Sequence, residues 1–115
     1  MSQKPHIRAL NGICKVKNAS LFFDYEKGIY HLVHYDTEIL TLASTPDNVP
    51  TILKALKCSN SSTRAIYQVT DFLNIPRDKV RLQKYDKFVK YNMSTEIRKT
   101  KSQLSEVIEQ WQIKT

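Results

Sequence analysis

Between Arg77 and Lys101 the chain carries nine Lys or Arg (Arg77, Lys79, Arg81, Lys84, Lys87, Lys90, Arg98, Lys99, Lys101) against three acids, Asp78, Asp86 and Glu96. That excess of six positive charges is most of the formal +7 of the whole chain. Tyr85, Phe88 and Tyr91 are interleaved with the cations. Ammonium and guanidinium groups hold phosphate oxygens, and aromatic rings stack on bases, so the strip suits a polyanion, of which nucleic acid is the commonest. The contact set expected from this spacing is Arg81, Lys84, Tyr85, Lys87, Phe88, Lys90, Arg98 and Lys99. A base stacked on Tyr85 or Phe88 contributes roughly 1–3 kcal/mol. Lys predominates over the Arg, Asn and Gln clusters of base readout, so the expected partner is DNA or RNA held with little sequence specificity. A solvated hairpin whose lysines keep an edge strand from pairing uses the same residues. So does a surface that steers the chain toward an acidic protein partner.

A second constellation is Ser59-Asn60-Ser61-Ser62-Thr63 before an amphipathic stretch. A helix N-terminus offers unpaired N–H groups to a phosphate, which makes Ser61, Ser62 and Arg64 a candidate anion site and a charged nucleotide a candidate ligand. Lys54, Lys57 and Arg64 are close in sequence and add charge to that site. Plain N-capping needs only one of these hydroxyls. His31, His34, Cys14 and Cys58 are the only His or Cys besides His6. On a strand, residues three apart point to opposite faces, so His31 and His34 cannot share a metal ion. Cys58 beside a helix start is expected to have a lowered pKa, but no His is placed next to it. No cofactor is implied, and the absence of a reactive constellation points to a non-enzymatic protein.

These side chains need elements to position them. Ile13 to Lys17 alternates apolar and polar, as a half-buried strand does. Leu21–Tyr25 and Ile29–Tyr35 flank Glu26-Lys27-Gly28 and predict a hairpin, with Gly28 free to take positive φ. Thr37 to Leu42 predicts a strand with Thr37, Ile39 and Thr41 on one face and Glu38, Leu40 and Leu42 on the other. Val49, Ile52, Leu53 and Leu56 have helical spacing, which predicts a short helix from Pro50 to Lys57. A second helix follows, capped by Ser61 or Ser62, with Ala65, Ile66, Val69, Phe72 and Leu73 as its apolar stripe and Pro76 as its terminator. This pair only superficially resembles a helix-turn-helix, because the outer face of the second helix is weakly basic. Val80–Gln83 and Phe88–Tyr91 predict a hairpin with Val80, Leu82, Val89 and Tyr91 inward. Ser94 caps a final helix to about Gln112 with Ile97, Leu104, Ile108 and Trp111 in its stripe.

The expected fold class is α+β, as a single domain over 1–115: an antiparallel sheet of N-terminal strands plus the later hairpin, packed against a central amphipathic helix and a C-terminal helix. With 115 residues, 41 % of them hydrophobic, the chain can bury one core unaided. No apolar run is long enough to span a membrane, and the N-terminus lacks an apolar leader, so a cytoplasmic setting with free thiols is expected. A homodimer is expected too, through Leu104, Ile108 and Trp111 or through the hairpin edge near Leu21 and Phe23.

The middle of the chain resembles small uncharacterised proteins encoded by phages, archaeal viruses and plasmids. The residues that carry the likeness are His34-Tyr35-Asp36-Thr37-Glu38-Ile39, Ser61-Ser62-Thr63-Arg64 with Ile66, and Val80 through Val89, within about residues 30 to 91. The chain departs from the pattern at Cys58-Ser59-Asn60, in place of a Gly-rich approach, and at Tyr67, in place of Asn. The resemblance assigns no activity and no catalytic residue. It implies a viral or mobile-element protein in a host cytoplasm, as a nucleic-acid binder or as an inhibitor of a host protein such as a defence factor.

Overall fold

The computed structural model describes residues 6–46, 49–86 and 97. Among them six strands form one sheet in sequential order: β1 (Ile7–Ala9), β2 (Ala19–Asp24), β3 (Ile29–His34), β4 (Thr37–Ala43), β5 (Thr51–Lys57) and β6 (Gln83–Lys84). The first five pair antiparallel, while β6 lies parallel to β5. One α-helix, α1 (Asn60–Phe72), connects β5 to β6. The fold is therefore α+β with a mostly antiparallel sheet. No helix among the described residues is long and apolar enough to cross a membrane.

The expected hairpin is β2–β3. Its register runs from Ala19 opposite His34 to Asp24 opposite Ile29. Gly28 adopts φ +66°, and a Cβ there would meet the Ser44 hydroxyl at 2.7 Å, so the turn requires glycine twice over. Asp24 is buried, and its Oδ1 accepts from the N–H groups of Glu26 and Lys27 at 3.0 Å each. This side chain tightens the turn in the manner of an Asx motif.

The sheet alternation builds the core. Leu21, Leu32, Leu40, Leu42 and Ala55 meet Ala65, Ile66 and Val69 of α1. Ile7, Phe22 and Val33 make a smaller cluster, into which Ile97 is buried. Fully burying an aliphatic side chain of this size contributes about 1.5–3 kcal/mol.

Several elements differ from the sequence expectation. Ile13 to Lys17 is not a strand; it is a turn and an irregular link between β1 and β2. Its alternation comes from Ile13, Cys14 and Val16 packing on the core, while the Lys15 N–H is held by Gln68 Oε1 at 2.8 Å. Pro50 to Lys57 is not a helix but contains β5, which excludes the helix-turn-helix reading. The register against β4 shifts between Thr41 and Leu42: Thr41 faces Lys54 and Leu42 faces Ile52. Leu53 is the extra residue of that bulge, so Ile52, Leu53 and Leu56 fall into spacing that imitates a helix. A second shift, opposite Leu32 and Val33, leaves Ile39 extra in β4. It brings Glu38 to the same face as Thr41, where the plain alternation had separated them.

The cap of α1 is Ser59, ahead of both serines expected. Its Oγ accepts from Ser62 N–H at 3.1 Å, and Ser62 Oγ accepts from Ser59 N–H at 2.8 Å, a reciprocal capping box. The helix stops at Phe72 rather than at Pro76, because Asn74 turns into the left-handed region at φ +61°. Phe72 is exposed instead of belonging to the apolar stripe. The first arm of the expected C-terminal hairpin is present only as β6, and its partner is β5. The second arm, with Phe88 to Tyr91, and the C-terminal helix from Ser94 lie outside the described residues, apart from Ile97, which is helical.

Candidate nucleic-acid interface

The parallel pairing sets Leu56 opposite Gln83 and Lys57 opposite Lys84. It extends by one bond, from Tyr85 N–H to the Lys57 carbonyl at 3.3 Å. Neighbouring strands lie about 4.8 Å apart, so Lys57 and Lys84 stand side by side at the end of the pair. Both are exposed, and neither has an ion-pair partner among the described residues. Like charges set directly across a ladder destabilise it, so this register sets two ammonium groups in mutual repulsion.

The two lysines border a cleft of about 530 Å³, lined also by Cys58, Ser59, Asn60 and Leu82. The floor is Leu82, packed against the core, and one wall is the start of α1. The cleft thus opens at the carboxyl ends of two parallel strands joined by a helix, which is where α/β sheets commonly receive ligands.

The contact set expected from the sequence is divided by this geometry. Arg81 and Lys84 are exposed, and Tyr85 is half-buried. Val80 and Leu82 point into the core, so the intervening Arg81 leaves on the other side of the chain from Lys84. Lys87, Phe88, Lys90, Arg98 and Lys99 lie outside the described residues. Arg77 is engaged locally: its guanidinium donates to Asp71 at 2.8 and 3.3 Å and sits 5.0 Å over the Tyr67 ring. That hydrogen bond holds the Asp71 carboxyl below, and the Arg77 guanidinium above, their ordinary values.

Within the anion-site candidates, Ser62 is buried and its hydroxyl closes the capping box. Ser61 is half-buried and Arg64 exposed on α1. Lys57 was expected only as added charge near this helix start, not as a partner of Lys84. It lay in the stretch expected to be helical, and only the pairing of β5 with β6 brings it to Lys84.

A second polar cluster lies on the sheet face opposite α1. Glu38, 6 % exposed, accepts from His31 Nδ1–H and, at 3.0 Å, from the Thr41 hydroxyl. Lys54 Nζ stands 3.8 Å from its other oxygen. Burial raises the Glu38 pKa, but the His31 hydrogen bond and charge, Lys54 and Thr41 outweigh it, so the carboxyl lies below its ordinary value. His34 faces away from this cluster, against the Tyr35 ring. No group of His, Cys, Asp or Glu suited to a metal ion occurs among the described residues. Cys14 and Cys58 are not disulfide-bonded, and burial raises the pKa of both thiols. For Cys58 this reverses the lowering expected from its place beside the helix.

Compared with protein-family models, curated proteins and solved structures, the chain matches none of them.

Proposed function

We propose that the chain binds nucleic acid through phosphate contacts centred on the end of the β5–β6 pair, with little sequence specificity. The observation that carries this reading is the side-by-side placement of Lys57 and Lys84, two exposed lysines in register with no ion-pair partner among the described residues. A backbone phosphate at each lysine supplies the opposing charge and offsets their mutual repulsion. The outer face of α1 carries one cation, Arg64, and one acid, Asp71, which is bound by Arg77, so the helix offers no strongly basic surface for a major groove. Backbone contact, rather than groove readout, follows from that distribution.

A fluorescence-polarisation titration of labelled oligo-dT, oligo-U and a duplex, repeated across a salt series, tests the proposal. Binding at low salt that falls steeply as salt rises is expected. Replacing Lys57 and Lys84 together by Glu should remove binding and leave the thermal unfolding midpoint in place. No binding at micromolar protein overturns it. The viral or mobile-element setting is proposed on the resemblance of residues 30 to 91.

A further inference from the structure

Among the described residues, the sheet leaves part of the β5 edge without a strand partner. On one side β5 is bonded to β4 from Thr51 to Ala55. On the other, β6 reaches only Leu56 and Lys57, so Thr51 to Ala55 has no ladder partner there among the described residues. Beside the first residues of β5 lies a groove of about 520 Å³, lined by Val49, Thr51, Ile52, Ile75 and Lys79 among others. Ile75 is buried and Ile52 half-buried, which gives the groove an apolar floor. Val49, in the lining, is 42 % exposed, and Leu53, the extra residue of the bulge next to Ile52 in sequence, is 57 % exposed. Lys79 stands at the groove with no ion-pair partner among the described residues.

An exposed strand edge with an apolar groove beside it is a template for strand addition: backbone bonds supply affinity, and pockets for alternate side chains supply selectivity. We propose that this edge of β5 takes an extended acidic peptide segment as an added strand, with its apolar residues over Ile52 and Ile75 and a carboxylate on Lys79. Charge decides the occupant. The chain carries +7, so an acidic strand is attracted and Lys79 gains a partner. A second copy brings another +7 and a second lysine to the same edge. This site is separate from the lysine pair, which lies at the opposite end of β5.

The test uses the full chain and a labelled, end-blocked octapeptide of alternating valine and aspartate. Polarisation should show saturable binding, and amide NMR signals of Thr51 to Lys54 should shift. Lys79→Glu should weaken the peptide at least ten-fold, whereas Arg8→Glu, on the distant edge strand β1, should not. The same peptide N-methylated at alternate amides, made in both phases, should lose binding in one phase, because only one set of amides can face β5. Equal binding by both N-methylated forms and the parent, or shifts confined to residues outside the groove, overturns the proposal. So does equal affinity for an alternating valine–lysine peptide. Concentration-dependent dimerisation that shifts the Thr51 to Lys54 amides without peptide also overturns it, by giving the edge to a second copy.

Discussion

His31 on β3 and Glu38 on β4 share a hydrogen bond across the face of the sheet that α1 leaves uncovered. The contact depends on the bulge at Ile39, which brings Glu38 opposite Val33 and onto the His31 side. With Thr41 and Lys54 adding a donor and a positive charge, the buried carboxylate is fully served.

Removing its charge has a predictable cost. Glu38→Gln leaves His31 and Lys54 facing a neutral amide and should destabilise the protein by about 1–3 kcal/mol, the range for a lost hydrogen bond to a charged group. Urea unfolding at pH 7 measures it.

The same group sets part of the acid limb. The Glu38 pKa is lowered in the folded protein, so its contribution is complete above the unfolded value of about 4.3 and is lost as pH falls through the folded value. The stability gap between wild type and Glu38→Gln should therefore be widest near neutrality and narrow on acidification. A gap that stays constant down to strongly acid pH counts against this assignment.

Gly28 offers a two-part substitution. Gly28→Ala should cost more than about 1 kcal/mol, since it combines a positive φ with a clash on Ser44. Ser44→Ala in the same background should recover only the steric part. Full recovery in the double mutant, read from thermal melts, would show that the backbone conformation carries no strain.

Ser59→Ala should cost about 1 kcal/mol, because the N–H of Ser62 loses its acceptor. Ser61→Ala, one position inside the helix, should be close to neutral. The comparison locates the cap without further structural work.

In nucleic-acid binding, Lys57 and Lys84 should behave differently from Arg77. If each lysine meets a phosphate of single-stranded nucleic acid, the double Glu variant should reduce the slope of log K against log salt by about 1.4. Arg77→Ala should change that slope little, since its guanidinium is committed to Asp71 and Tyr67. A larger effect for Arg77→Ala than for the lysine pair would move the interface to α1.

How far the sequence carries can be judged from these same residues. The β2–β3 hairpin was legible because its cues are local: aromatic runs on both sides and a glycine where φ must be positive. The body of α1 was legible from Ala65, Ile66 and Val69. The strand β5 was not, because the bulge at Leu53 breaks its period and no local rule announces a bulge. Ser59, Ser61 and Ser62 offer equivalent hydroxyls, so the cap depended on where the strand before it ended. Arg81 and Lys84 were legible as exposed cations. Lys57 was legible only as a cation near the helix start, because its place beside Lys84 rests on a parallel pairing 27 residues along the chain. Glu38, a lone acid in an apolar strand, was visible as an oddity, but its partners came from two bulges that the pattern does not reveal.

The parallel junction of β5 with β6 also bears on the order in which the molecule opens. Strands β2, β3 and β4 close through short turns, whereas β6 returns only after α1 and rests on two ladder positions. It should therefore exchange its amide hydrogens earlier than β3 or β4, in a local unfolding that leaves the rest of the sheet intact. That opening separates Lys57 from Lys84 and dissolves the charge pair. A polyanion spanning the two lysines binds only the closed form, so it should slow exchange at Gln83 and Tyr85 in proportion to its occupancy, coupling recognition to the fastening of the least secured strand.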